Sequence, residues 1–119
     1  MTFSIQEKLL HFKQPAGTSR GVYTTRKIWL LTVEHDGRTA IGECAPLPQL
    51  SCDDIPDYEA VLRRFCDIIE ATGSIPYDEM RNYPSMLFGV ETALAQLSRT
   101  DGLLYDTSFS HGEEGIPIN

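Results

Sequence analysis

The chain has 119 residues, 41% hydrophobic and 23% charged, and carries a formal net charge of −7. That length fits one domain able to bury about two-thirds of its unfolded surface. Ten scattered Lys and Arg against seventeen acids exclude the clustered positive charge that nucleic acid or an anionic membrane surface requires.

The first residues lack a basic region followed by an apolar run, so no signal peptide is expected. No apolar segment approaches the ~20 residues of a membrane helix. Cys44, Cys52 and Cys66 are odd in number and have no Cys-x-x-Cys spacing, which fits reduced thiols in a cytoplasmic protein.

Residues 2–12 read as a strand with imperfect alternation: Phe3 and Ile5 share one face, Leu10 and Phe12 the other. A bulge or a change of partner would account for the switch. Residues 13–23, with Pro15, Gly17 and Gly21, read as a loop. Residues 26–35 form a strand, with Ile28, Leu30 and Thr32 opposite Trp29, Leu31 and Val33. Asp36 and Gly37 supply the positive φ angles of a two-residue hairpin, and a third strand follows from Arg38 to about Cys44. Residues 42–51, Gly-Glu-Cys-Ala-Pro-Leu-Pro-Gln-Leu-Ser, then run from strand into a stiff, twice-prolined loop. Beyond it, Asp53 and Asp54 precede Pro56, and Tyr58, Val61, Leu62, Phe65, Ile68 and Ile69 form one apolar helical stripe that Gly73 is placed to end. That stripe is expected to dock on the sheet. A short helix is predicted over 77–82 and a longer one over 84–99, with Leu87, Val90, Leu94 and Leu97 on one face and Met86 and Ala93 beside them. Residues 100–115 read as loop, and 116–119 as the start of a strand with nothing to pair, so the natural chain is expected to continue. Strands followed by helices indicate an α+β fold: a three-stranded antiparallel meander and a small helical bundle.

Chemistry-bearing residues are sparse. His111, Glu113 and Glu114 lie within four residues, but a metal site needs ligands converging from a rigid frame, and a polar turn is the simpler reading. Asp53, Asp54 and Asp57 are what a helix N-terminus attracts through its dipole. Ser19, Ser51 and Cys44 have no visible base beside them, and Cys44 reads as a small buried apolar group. The run from Ala16 to Gly21 lacks the phosphate-cradle Lys. It does offer two hydroxyls and the fixed charge of Arg20, suited to holding a carboxylate; the alternative is that Arg20 faces water or pairs with a surface acid.

Three stretches taken together resemble a known family. They are residues 15–21 (Pro-Ala-Gly-Thr-Ser-Arg-Gly), residues 42–51, and residues 84–94 (Pro-Ser-Met-Leu-Phe-Gly-Val-Glu-Thr-Ala-Leu). They are similar to the amino-terminal capping domain of the enolase superfamily, muconate-lactonizing subgroup, and most of all to its o-succinylbenzoate synthases. Residues 115–119 resemble the entry to the first barrel strand. The resemblance implies a cap over residues 1–110 and, at 111–119, a link into a β/α barrel that is absent here. It also implies an intact enzyme that uses Mg²⁺ to abstract a proton α to a carboxylate and then eliminates water, in menaquinone biosynthesis. The capping loops are implied to close over a small carboxylate substrate through Gly17, Thr18, Ser19 and Arg20 in the first and Gln49, Leu50 and Ser51 in the second. A barrel takes ~250 residues, so none of its catalytic or metal-binding residues can be assigned in this chain, and the chain alone is expected to be inactive. Muconate or chloromuconate cycloisomerases and dipeptide epimerases carry similar loops; outside the family, the alternative is a binding module with no enzymatic ancestry. The missing barrel is expected to leave apolar surface on the 84–99 helix or the loops, a surface through which the fragment would self-associate.

Overall fold

The computed structural model describes residues 1–99, 103 and 105–118. Three strands, β1 (Thr2–Thr18), β2 (Gly21–His35) and β3 (Arg38–Cys44), precede three helices, α1 (Tyr58–Thr72), α2 (Tyr77–Met80) and α3 (Pro84–Leu97). The strands form one antiparallel sheet in chain order, so the α+β meander expected from the sequence is the observed architecture. Asp36 and Gly37, with φ of 52° and 77°, make the tight turn between β2 and β3. Both angles are positive, which matches the right-handed twist of the strands they join.

One face of the sheet carries the core. Register places Phe3 opposite Val33, Val33 opposite Ala40, and Trp29 opposite Cys44; all five are buried. Tyr58, Leu62, Phe65 and Ile69 of the α1 stripe are buried against this layer, while Val61 and Ile68 stand at its margin. Tyr58 stacks on Trp29 with ring centroids 4.3 Å apart, and Phe65 meets Tyr83 edge-on at 5.3 Å. Gly73 ends α1 in the left-handed conformation, its N–H donating to the Ile69 carbonyl at 2.7 Å.

α3 approaches β3 more closely than side chains would permit. A Cβ on Gly42 would lie 2.0 Å from the Gly89 carbonyl oxygen, and one on Gly89 would lie 2.2 Å from the Cys44 sulfur. The contact therefore turns Met86, Gly89, Val90, Ala93 and Leu97 inward and leaves Leu87 and Leu94 only partly buried. The expected stripe through Leu87 and Leu94 was off by part of a turn, because periodicity weights large apolar residues and the closest approach is made by glycines. Phe88, on the outward side of α3, is 62% exposed.

Residues 13–23 are not a loop. β1 runs to Thr18, β2 begins at Gly21, and only Ser19 and Arg20 turn between them. Pro15 is accommodated because β1 is an edge strand and the ladder is broken between His11 and Ala16. The bulge suspected from the alternation thus exists, but beyond the switch it was meant to explain. Register is continuous from Thr2 through His11, and Leu9, Leu10 and Phe12 are exposed because no helix covers that end of the strand. Among the described residues after α3, 103 and 105–118 contribute no helix or strand, and no described helix is long and apolar enough to cross a membrane.

Candidate functional site

The hairpin tip at 17–21 is built from its own hydroxyl chemistry. Thr18 Oγ1 accepts the Arg20 N–H at 3.1 Å and donates to the Gly21 carbonyl at 3.1 Å. Gly21 has φ of 141°, a conformation that side chains disfavour. The turn leaves Ser19 and Arg20 exposed at the apex, and the Arg20 guanidinium has no partner among the described residues.

The proline loop is closed in a similar way. The Ser51 N–H donates to the Leu47 carbonyl at 2.9 Å, and the Leu47 N–H donates to Ser51 Oγ at 2.8 Å. Gln49 is left-handed, with φ of 66°, and its N–H donates to Asp54 Oδ2 at 3.2 Å. A left-handed Gln is uncommon, and here the Asp54 carboxylate holds it in place. The loop presents the Gln49 side chain and a 54% exposed Leu50 to solvent.

The two segments are tied together. The Tyr23 hydroxyl donates to the Pro48 carbonyl at 2.7 Å, and Arg26 Nη2 donates to the Ala45 carbonyl at 2.7 Å. Neither residue stands out in the sequence as functional; the available signal was a Tyr and an Arg on a strand beside a loop in which Pro46 and Pro48 have no N–H while every carbonyl remains an acceptor.

Behind the proline loop lies a buried polar junction. Asp53 is 1% exposed, and its Oδ2 accepts both the Ser85 N–H at 2.8 Å and the Ser85 hydroxyl at 2.5 Å. The Ser85 proton is thereby used, so the Tyr58 hydroxyl, 2.6 Å from Ser85 Oγ, is the donor in that contact. Burial pushes the Tyr58 phenol well above its ordinary range, which keeps that proton in place. Asp53 is therefore not an acid drawn to the α1 dipole. It caps α3, whose own N-cap residue, Tyr83, makes no capping bond. Nor does Pro56 sit in the first turn of α1, which begins at Tyr58 with Asp57 before it and no side-chain cap.

A cleft of about 520 Å³ opens beside the junction, between Trp29, Tyr58, Pro46 and Pro48 and the ion pair of Glu7 with Lys27 at 3.3 Å. None of the seven candidate contact residues lines it. Cys44 and Cys66 are buried, and burial raises each thiol to about 12; Cys52 is exposed. Among the described residues no group of three or more His, Cys, Asp and Glu is placed to hold a metal ion. His111 pairs instead with Asp106 at 2.6 Å, and Glu114 accepts from Ser108, within a run of turns.

A three-stranded meander followed by three helices has counterparts among known proteins. The family model described as "MenC, N-terminal domain" matches residues 16–97, the hairpin tip and proline loop included. The chain belongs to that family. A curated o-succinylbenzoate synthase from Desulfotalea psychrophila is 28% identical over an alignment of 154 positions, which takes in 100% of this chain and 41% of that protein. Among solved structures, o-succinylbenzoate synthase from Thermosynechococcus elongatus BP-1, complexed with Mg in its active site, superposes with a TM-score of 0.66 at 25% identity, over 83% of this chain and 31% of the other. A mandelate racemase/muconate lactonizing protein from Herpetosiphon aurantiacus reaches a TM-score of 0.68 at 15% identity, over 81% of this chain and 29% of that one, which shows the shared fold alone. The family member thus spans less than half the length of these relatives.

Proposed function

We propose that this chain is the substrate-capping domain of an o-succinylbenzoate synthase-like enzyme, with residues 1–110 forming the cap and 111–119 leading toward a barrel. The match of the whole chain to 41% of such a synthase supports the reading, and one observation carries it: the Tyr23–Pro48 hydrogen bond brings the Arg20 hairpin and the Leu50 loop to one place on the domain. Their chemistry suits a carboxylate substrate. Arg20 offers a fixed charge and planar donors, Ser19 a free-standing hydroxyl, the Gln49 amide further hydrogen bonding, and Leu50 an apolar cover against water. The Thr18 and Ser51 hydroxyls are used in holding their own turns, so their part is to shape the loops. Gly17 and Gly21 keep the tip slim and Gly21 supplies its positive φ.

The described residues do not fit a magnesium site, since their carboxylates and imidazoles are dispersed among separate partners. No step is routed through a metal here; in this reading Mg²⁺, proton abstraction and water elimination belong to the barrel, and the cap contributes orientation and exclusion of solvent. The test is Arg20→Met in the enzyme that carries this domain. Losing a charge-assisted hydrogen bond of roughly 1.5–3 kcal/mol lowers kcat/KM by about 10- to 150-fold. Unchanged kinetics would remove Arg20 from the site.

A further inference from the structure

The hairpin tip continues the sheet across a break in register. Opposite Thr24 on β2, β1 has Phe12, Lys13, Gln14 and Pro15, because His11 pairs with Thr25 and the next registered pair is Ala16 with Tyr23. Only three pairs lie beyond that break: Ala16–Tyr23, Gly17–Val22 and Thr18–Gly21. A two-stranded arm of that size has little stability of its own. Every residue from Ala16 to Val22 is exposed, so packing does not hold the arm either. Among the described residues, one hydrogen bond leaves the arm, from the Tyr23 hydroxyl to the Pro48 carbonyl at 2.7 Å. At its far end is a loop already stiffened by Pro46 and Pro48, by the reciprocal Leu47–Ser51 bonds and by the Asp54 grip on Gln49.

We propose that Tyr23 is a positioning residue that makes the 17–21 tip and the 47–51 loop a single rigid lid, pivoting at the four-residue bulge at 12–15. With the tether in place, neither segment opens without the other. Without it, the arm swings independently about the bulge and Arg20 loses its fixed position relative to Leu50. The functional consequence rests on the capping reading; the coupling itself does not, and it is measurable without turnover.

The experiment is residue-resolved amide hydrogen exchange on the 119-residue chain, comparing wild type with Tyr23→Phe, which keeps the ring and removes only the hydroxyl. The net worth of one hydrogen bond corresponds to roughly fivefold in a local opening equilibrium. Exchange at the tip amides and at Leu47, Gln49, Leu50 and Ser51 rises together by about that factor, while the cores of α1 and α3 are unchanged. Val22→Ala, which shortens a 69% exposed side chain on the same arm and leaves the tether intact, does not raise exchange in the proline loop. Acceleration in one segment alone, or in neither, overturns the coupling, as does an equal loop response to Val22→Ala. In the intact enzyme Tyr23→Phe raises KM with kcat nearly unchanged. Coupled exchange together with an unaltered KM would leave the rigid unit standing and sink its role as a substrate lid.

Discussion

At the scale of single residues, burial decides chemistry in this domain. Cys44 reads from sequence as a small buried apolar group, and its burial agrees; Cys66, on which the sequence reading was silent, is buried too, and burial raises each thiol from 9.0 to about 12. The sign for stability follows from proton binding. A thiol whose pKa is higher folded than unfolded keeps its proton in the native state at pH values where the unfolded chain has lost it, so folding is disfavoured as pH rises. The stability contribution is complete below about pH 9 and is lost as pH rises from there toward 12. Urea denaturation across that range is expected to show the decline, and Cys44→Ala to reduce its slope. At pH 8 only Cys52 reacts readily with a thiol reagent; three fast thiols would contradict the buried placement. Asp53 shows the opposite case, where sequence misled. An acid beside a predicted helix start reads as a dipole partner, yet it lies buried and satisfies Ser85, distant along the chain. The clue was negative: the α3 segment begins Tyr-Pro-Ser, with no capping side chain at the Tyr, so an acceptor had to come from elsewhere.

At the scale of elements, the contact of α3 with β3 sets the thickness of the domain. Gly42→Ala places a methyl 2.0 Å from the Gly89 carbonyl, a backbone atom that cannot rotate away. The helix must shift, and with it Val90 and Ala93 lose their fit against the sheet. A loss of about 1–3 kcal/mol is expected, seen as a lower urea midpoint with the slope preserved. A change within experimental error would mean that α3 stands off the strand. The strand edges are managed by helix side chains. The Phe3 N–H donates to Glu70 at 2.6 Å, its carbonyl accepts from Arg63 at 2.8 Å, and the Ile41 N–H donates to Gln96 at 2.9 Å. Each side chain stands where a neighbouring strand would, which blunts edge-to-edge pairing. Elements themselves were legible: β3 and the start of α3 coincide with the expected bounds, and Gly73 ends α1 as anticipated. The stretch from Lys13 to Tyr23 was misjudged because glycine and proline are weighed locally, whereas pairing with Val22 and Tyr23 and the tolerance of an edge strand override them.

At the scale of the molecule, the chain is one layer of helices on one sheet, with the metal-capable side chains among the described residues dispersed. The 119-residue chain is therefore expected to show no elimination of water on its own, and millimolar Mg²⁺ to leave its Tm unchanged, since only a bound ligand raises the folded population. Turnover, or a Tm that climbs with Mg²⁺, would place a working centre inside this domain. The fold class came through from sequence alone because it depends on local signals: alternation with period two, a helical stripe, a two-residue hairpin turn and a left-handed glycine. The two candidate contact segments were named from their unusual glycine and proline runs. What only the tertiary structure decided is which distant groups meet: Asp53 with Ser85, Gly42 with Gly89, and Tyr23 with Pro48. Such contacts join residues far apart along the chain through a single hydrogen bond or the absence of a side chain. They leave no periodic trace in the sequence, and chain folding in three dimensions is what selects them.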